Sequence, residues 1–202
     1  MEQDTEKLLK SIMSGLKRMD SISIEDIPSI DLYMDQLTTF MGAKLKATKR
    51  YEVDKILTKT MINNYAKNSI LPPPNNKKYG RHHIIMLIFI YYFKNVLSLH
   101  DIQKLTSPLI QTYFKKKEGL SLEDIYENVF KSAYGQLDDI QLFVEKTIEA
   151  SEEICSKAKK DGMSDEEQEF LKYFFLICSL AFDAYAKRLM IEKLIDLMPE
   201  TK

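Results

Sequence analysis

The chain has 202 residues, of which 45% are hydrophobic and 29% are charged, with a formal net charge of −1. This composition excludes an intrinsically disordered chain and supplies enough apolar surface for a core of one or two domains. Glycine and proline are scarce, at six residues each, which favours helices throughout.

Residues 5–19 place apolar side chains on one stripe, which predicts an amphipathic helix that serves as a packing arm. The stripe consists of Leu8, Leu9, Ile12, Met13, Leu16 and Met19. Helical spacing resumes behind a cap at Ser29 and includes Ile30, Tyr33, Leu37 and Met41. A basic linker follows with Lys44, Lys46, Lys49 and Arg50, which could contact phosphates or could be solvated loop charges.

The segment from Thr58 to Asn68 has the pattern of a DNA-reading helix. Thr58 is an N-cap residue, and Met61, Ile62 and Tyr65 share one helical face. The opposite face carries Lys59, Thr60, Asn63, Asn64 and Lys67. Asparagine pairs with adenine edges and lysine with phosphates, so these five residues are candidates for DNA contacts. Residues 69–71 end the helix, and Pro72, Pro73 and Pro74 force an extended connection.

A second basic cluster follows the prolines. Lys77, Lys78 and Arg81 surround Tyr79, and these four residues complete the predicted DNA-binding set as a wing. The helix predicted from His82 to Val96 is apolar on nearly every side, so it requires several neighbours. Ser98 and Asp101 form a capping box that starts another helix through Ile102 and Leu105, and Pro108 is expected to close this region.

The order of these motifs resembles MerR-type winged helix-turn-helix regulators over residues 58–105. The motifs LTKTMINNY, LPPP, KKY and LSLHDI are more similar still to a bacterial family catalogued as a domain of unknown function with a MerR-like head. The resemblance implies DNA binding, with Thr58 at the N-cap position and Tyr79 as the last tyrosine of the wing. Asn63 and Asn64 replace the usual Arg-Tyr pair, and the Gly-Tyr-Arg hairpin is absent. The wing should therefore be short, and base preference does not transfer.

The distribution of charge supports the same segment. Residues 1–43 hold 4 basic and 8 acidic side chains, residues 44–81 hold 10 and 2, and residues 82–202 hold 15 and 20. A basic block between acidic flanks is typical of a nucleic-acid footprint, because lysine and arginine release counterions where they touch the phosphate backbone. The alternative is a solvated basic surface.

The charged turn Lys115–Gly119 predicts a boundary, with a DNA-binding domain at 1–117 and a helical dimerisation or sensor domain at 118–202. Ser121 with Asp124 opens a predicted helix that runs to about Lys159, with Gly135 as a possible kink. Ser164 with Glu167 opens a second long helix. Its expected buried seam consists of Phe170, Phe174, Ile177, Cys178, Ala181, Tyr185, Leu189 and Ile195.

No pattern indicates an enzyme, a cofactor or a metal site. A metal site built from His82, His83 and His100 is disfavoured by their spacing, and a basic helix start near phosphate is the better interpretation of the histidine pair. The acidic clusters suit solvated helix faces and a helix N-terminus. The chain has no phosphate loop and no nucleophile elbow. Its 10 Met, 11 Tyr and 10 Phe could line a pocket for a small apolar effector, although such residues are more often core.

We expect a cytoplasmic protein, since no apolar run reaches the roughly 18–20 residues that span a bilayer and no signal peptide is evident. Cys155 and Cys178 suit packed free thiols, with a disulfide as the alternative. The sequence therefore predicts an all-α bacterial transcriptional regulator with a MerR-like winged head, a long-helix bundle and a homodimeric state on double-stranded DNA. The alternative is a protein-interaction adaptor that keeps the winged-helix shape without binding DNA.

Overall fold

The computed structural model describes residues 2–16, 22–116, 118–160 and 162–199. Over these residues the chain forms eight α-helices and one two-stranded sheet. In chain order they are α1 (Glu2–Leu16), β1 (Leu32–Tyr33), α2 (Met34–Lys44), α3 (Lys59–Lys67), β2 (Lys78–Tyr79), α4 (Arg81–Phe93), α5 (Leu99–Tyr113), α6 (Leu122–Tyr134), α7 (Leu137–Lys160) and α8 (Asp165–Leu197). The predicted all-α class is confirmed, and the sheet is as small as a minimal wing requires.

The described residues group into two compact units. The tail unit comprises Met1–Lys17 with Ser132–Ile191, and the head unit comprises Arg18–Lys131 with Glu192–Lys202. The predicted boundary at Lys117 and the observed boundary differ over α6. Most of this helix, residues 122–131, belongs to the head unit, where Leu122 and Tyr126 lie in the hydrophobic core. The predicted boundary at Lys117, a residue outside the described ranges, stays a prediction.

Helix α4 is the centre of the head unit. Nine consecutive residues, from His83 to Tyr91, are buried, as the apolar sequence predicts. The helix ends at Phe93 rather than Val96. Around it, Phe89 packs against Phe93 of its own helix and against Tyr126 and Phe130 of α6. Each fully buried aliphatic or aromatic side chain of this kind contributes roughly 1.5–3 kcal/mol of transfer free energy, so α4 and its neighbours form the principal core of the unit.

The prediction that α2 begins behind Ser29 is wrong. The helix begins at Met34, because Leu32 and Tyr33 pair antiparallel with Tyr79 and Lys78. Ile30, expected on the buried face, is 68% exposed. The later residues Leu37 and Met41 are fully buried, so the predicted spacing holds only from the true helix start.

Pro108 does not close the head, which corrects a second expectation. It lies inside α5, which continues to Tyr113. A proline in this position removes one backbone hydrogen bond, to the carbonyl four residues earlier. The helix persists because Ile102 and Thr106 are fully buried and α5 packs on α4.

The tail unit is built on the packing of α1 against α7. Leu8, Leu9 and Ile12 pack on a cluster of Val144, Ile148 and Leu176, which confirms the predicted amphipathic arm. The arm spans Glu2–Leu16, and the predicted stripe residue Met19 lies outside the described residues.

The helix predicted from Ser121 to Lys159 is two helices. The chain breaks between Tyr134 and Leu137, where Gly135 and Gln136 form a turn. Gly135 is therefore more than a kink: it ends one helix before the next begins, while the division between the two units falls just before it, at residues 131 and 132 of α6. Glycine favours such a break because it loses more backbone conformational entropy in a helix than any other residue.

Helix α8 begins as predicted, with the Glu167 amide donating to the Ser164 hydroxyl at 3.3 Å. The prediction of a buried seam along it is wrong for the single chain. Phe170, Phe174 and Ile177 are 65%, 54% and 64% exposed, while Leu176 and Ile195 are buried. In the tail unit, Val144 and Ile148 of α7 cover only the side of α8 that carries Leu176.

Cys155 and Cys178 are half-buried free thiols, as predicted. Within the described ranges, no helix combines the length and the apolar character needed to cross a membrane.

Candidate nucleic-acid interface

Helix α3 is stabilised by an N-cap and a buried apolar face, both of which the sequence predicted. Thr58 adopts an extended conformation, and its hydroxyl accepts a hydrogen bond from the Met61 amide at 3.2 Å, which confirms the predicted N-cap. Ile62 and Tyr65 are buried on the side that faces the core. Burial raises the pKa of the Tyr65 phenol. The helix is therefore fixed by its apolar side, which leaves the other side to solvent.

The end of α3 is a sharp left-handed turn. Ser69 has φ of 56°, and the amides of Ile70 and Leu71 both donate to the carbonyl of Tyr65. Ile70 and Leu71 are buried, so the segment after the helix is anchored before the chain enters the three prolines. The predicted helix stop at residues 69–71 is confirmed.

The solvent side of α3 carries the five residues that were predicted to contact DNA. Lys59, Thr60, Asn63, Asn64 and Lys67 are all exposed. The Lys59 ammonium forms an ion pair with the Asp35 carboxylate at the start of α2. A surface pair of this kind contributes at most about 1 kcal/mol and can exchange for a phosphate. Thr60, Asn63 and Asn64 are uncharged and exposed, and Lys67 forms no salt bridge among the described residues.

A hairpin follows α3 where the usual wing sequence is absent. The amide and carbonyl of Asn75 bond to the carbonyl and amide of Lys78 at 3.0 and 2.9 Å. Asn76 and Lys77 have φ of 48° and 64°, the pattern of a type I′ turn. This two-residue turn leads into β2, which pairs with β1. The hairpin lies where a short wing was predicted, and Lys77 stands exposed at its tip.

Two residues of the predicted DNA-binding set are engaged inside the protein instead. Tyr79 is 3% exposed, and burial raises the pKa of its phenol. The Arg81 guanidinium donates to the carbonyls of Ile24 and Ile27 at 2.7 and 3.2 Å. It also lies 3.5 Å from the Glu123 carboxylate of α6. In this conformation neither side chain is available to a partner, because the core and the α6 attachment use them.

Lys78 has an intermediate position. It is half-buried, and its ammonium lies 5.1 Å from the centre of the Tyr33 ring on the neighbouring strand. A cation over an aromatic face is stabilised by the ring quadrupole. Lys78 therefore combines a structural contact with an ammonium at the protein surface.

The loop between α2 and α3 brings further cations to this part of the head unit. Lys46, Arg50 and Lys55 are exposed, whereas Lys44 pairs with Asp26 at 3.0 Å. The Asp54 carboxylate accepts from the amides of Arg50 and Tyr51 at 3.1 and 2.9 Å, which fixes the turn.

Lys55 was missed as a candidate because it lies outside the linker cluster at 44–50. The sequence signal that could have identified Lys55 is its place in the basic segment 44–81, three residues before the N-cap of α3.

The two ends of this loop are attached to the far end of α4. The Thr48 and Tyr91 hydroxyls are hydrogen-bonded. The Lys94 ammonium donates to the Ile56 carbonyl at 2.6 Å and lies 4.6 Å from the centre of the Tyr91 ring. Burial lowers the pKa of Lys94. Sequence spacing could not show these contacts, since they join residues 38 and 43 positions apart.

The histidine pair has a structural explanation. His83 is buried, its Nδ1 accepts from the Gly80 amide at 3.1 Å, and its Nε2 faces the Pro73 carbonyl at 3.2 Å. Burial is the main cause that lowers the pKa of His83. His82 contacts the Phe114 carbonyl and the Glu123 carboxylate. Among the described residues, no group of three histidine, cysteine or acidic side chains could hold a metal ion.

The predicted effector site remains a prediction. A depression of about 500 Å³ in the tail unit is lined by apolar residues and by Lys10, Ser14 and Gln141. The apolar residues are Met13, Leu16 and Leu137. This mixed lining gives no basis for naming a ligand.

Comparison with known proteins yields one family. Neither a curated protein nor a solved structure matches the chain significantly. The model of a domain of unknown function, DUF1836, matches residues 22–129, which correspond to most of the head unit with α2 to α5 and the first part of α6. Because this match spans more than half of the 202 residues, the chain belongs to the DUF1836 family.

Proposed function

We propose that the head unit binds double-stranded DNA and that the protein is a cytoplasmic regulator of transcription. One observation carries the proposal. The exposed side of α3 presents amide, hydroxyl and ammonium groups, while its opposite side is locked into the core. Exposed cations stand on the loop before α3 and on the hairpin after it.

The dimensions of α3 suit a major groove. Its nine residues form about two and a half turns, and an α-helix with its side chains is about 10–12 Å in diameter. A major groove is about 12 Å wide and admits one helix. Asn63 and Asn64 are the residues that we assign to base edges, since asparagine bonds bidentately to adenine. Thr60 is a third candidate because a hydroxyl can bond to several bases.

Phosphate contacts are assigned to cations without an ion pair among the described residues. They are Lys46, Arg50, Lys55, Lys67 and Lys77. Lys59 and Lys78 would join them after exchanging their present contacts with Asp35 and Tyr33. Tyr79 and Arg81 are assigned to holding the hairpin and α4 in place rather than to DNA.

The order of strand, helix, loop, helix, hairpin and helix supports a MerR-like interpretation of the head unit. In winged helix-turn-helix proteins the second helix enters the major groove and flanking elements hold the backbone. The 14-residue loop 45–58 and the two-residue hairpin turn are unlike the usual regulators, so the proposal rests on the exposed chemistry of α3 and not on the resemblance alone.

The test is fluorescence anisotropy of the full chain with a short duplex across salt concentrations. For one head on a short duplex, the five cations without an ion pair predict a slope of about −4.5 in log K against log salt, which is a loss of about 500-fold between 50 and 200 mM. Lys67→Ala should reduce the slope by about 0.9. Lys146→Ala removes an exposed lysine from α7 in the tail unit and should leave it unchanged. A slope near zero would refute the proposal.

Base readout is tested separately with Asn63→Ala and Asn64→Ala, after duplexes have been selected from random sequence. Each variant should lose about 1–3 kcal/mol of discrimination while nonspecific binding is retained. An equal loss on every sequence would move these residues to the phosphate contacts. Absence of any DNA binding would favour the adaptor alternative, in which the same exposed surface binds a protein.

A further inference from the structure

Helix α8 carries an exposed stripe with the spacing of a helix-pairing seam. The stripe consists of Phe170, Phe174, Ile177, Ala181, Ala184 and Arg188, and all six residues are exposed. Successive members are separated by four, three, four, three and four residues. This alternation places side chains in one line along a helix and is the pattern by which two helices interdigitate. The whole stripe lies in the tail unit.

Helix α8 leaves a large apolar surface exposed to water. Within the tail unit, nine large apolar side chains of α8 are between 37% and 74% exposed. They are Phe170, Tyr173, Phe174, Ile177, Leu180, Phe182, Tyr185, Leu189 and Met190. Since an aromatic side chain covers about 150–250 Å², these exposures leave on the order of 900 Å² in all. Phe170, Phe174 and Ile177 belong to the stripe, and the other six flank it or lie on further sides of α8, so this total is the apolar area around the helix. A standard interface takes about 800 Å² per partner.

We propose that this stripe is the interface between two copies of the chain, packed antiparallel about a twofold axis near Ser179. The distribution of side-chain sizes selects this arrangement. Phe174 of one copy lies opposite Ala184 of the other, and Ile177 lies opposite Ala181. A parallel pair would set Phe174 against Phe174 and Ala184 against Ala184, which leaves gaps between the alanines. Packing large against small fills the seam at the density of a protein interior.

Charge along α8 favours the same direction. Its first residues hold four carboxylates, Asp165, Glu166, Glu167 and Glu169. The far end of the stripe holds Arg188 and Lys187, and the Lys187 ammonium lies 2.7 Å from the Asp183 carboxylate of its own helix. With the axis near Ser179, residue 169 of one copy faces residue 189 of the other, so carboxylates and cations come within about one helical turn of each other. A parallel pair would instead gather eight carboxylates at one end. Phe170 would also face Arg188, a favourable cation–aromatic contact.

The first experiment measures the mass of the full chain in solution by light scattering, without DNA. We expect about twice the chain mass of 23.6 kDa. Ile177→Asp should yield the monomer, because the charge would be desolvated in the seam. Ile30→Asp is the matched control: Ile30 is 68% exposed and Ile177 is 64% exposed, but Ile30 lies in the head unit. A dimer unaffected by Ile177→Asp would overturn the assigned interface.

A second variant guards against a folding defect. Ala181→Arg places a good helix former at a position that is exposed in the single chain, so the monomer should keep its helix content by circular dichroism. In the pair it would oppose Ile177, and dissociation is expected. A wild-type chain that remains monomeric at every concentration up to about 100 µM would refute the proposal outright.

The direction of pairing is measured with one spin label at Glu166→Cys, after Cys155 and Cys178 are replaced by serine. Antiparallel pairing about residue 179 separates the two labels by 26 residues of helix, which is about 39 Å at 1.5 Å per residue. A parallel pair would hold them near the interaxial distance of about 10 Å. A label distance under 20 Å would therefore refute the antiparallel arrangement. These measurements contain no DNA, so a failure of the proposed dimer would not bear on the proposed DNA binding. A failure of DNA binding would likewise not bear on the dimer.

Discussion

Replacement of Leu122 by alanine tests whether α6 is part of the head unit. Leu122 is 0% exposed and lies in the core around α4. Removing its side chain takes away transfer free energy and leaves a cavity, and such changes cost about 2–5 kcal/mol. Leu120→Ala is the matched control, because Leu120 lies two residues earlier and is 51% exposed. Its cost should stay within about 0.5 kcal/mol.

The assay must report on the head unit alone, since a chain with two units need not unfold in one step. Hydrogen exchange of the α4 amides meets this need. Nine consecutive residues of α4 are buried, so their amides exchange only when the core opens. A loss of about 3 kcal/mol corresponds to about 150-fold faster exchange, at 1.36 kcal/mol for each factor of ten. The amides of α7, in the tail unit, provide an internal reference.

A companion variant isolates one polar contact. The Tyr126 hydroxyl donates to the Ile22 carbonyl at 2.6 Å in the buried interior. Tyr126→Phe should cost about 1–3 kcal/mol, because the carbonyl loses its donor while remaining buried.

If Leu122→Ala and Leu120→Ala accelerated α4 exchange equally, α6 would not be a core element. The boundary predicted near residue 117 would then be the better one.

Two further predictions concern the region around the hairpin. Because burial lowers the pKa of His83, its contribution to stability is complete above the unfolded value of about 6.5 and is lost as pH falls below it. Urea unfolding at pH 7.5 and 5.5 should show this loss of stability. The loss should shrink in His83→Gln, whose side-chain amide can make both hydrogen bonds of the imidazole. An unchanged pH dependence in this variant would contradict the prediction. Lys77→Gly should stabilise the head unit by about 1 kcal/mol, since Lys77 has φ of 64°. Lys55→Gly, which removes the same charge without relieving a positive φ, should give no gain, and destabilisation by Lys77→Gly would contradict the strain argument.

Local signals in the sequence predicted the helix starts well. The caps at Thr58, Ser98, Ser121 and Ser164 each join a side chain to a backbone amide three residues later. Such contacts depend on nothing but the neighbouring residues. The exposed face of α3 was predictable for the same reason, since its burial follows helical periodicity.

Contacts between distant residues could not be predicted in this way. The start of α2 depends on the pairing of Leu32 with Tyr79, and the role of Arg81 depends on carbonyls 54 and 57 positions earlier. A helix starting behind Ser121 was predicted, but helical spacing does not specify which core its apolar residues join. The same applies to α8, where the pattern showed an apolar seam without showing whether the chain itself covers it.

The attachment of loop 45–58 at both ends has an evolutionary and practical consequence. Thr48 and Ile56 are fixed to Tyr91 and Lys94, so the seven residues between the two anchors, 49–55, form a closed span whose ends do not move with its length. Lengthening a closed span costs little, about 0.6 kcal/mol for each doubling. Relatives can therefore vary this segment without disturbing the core. It is also the natural place to insert a reporter or to graft a different contact sequence beside α3.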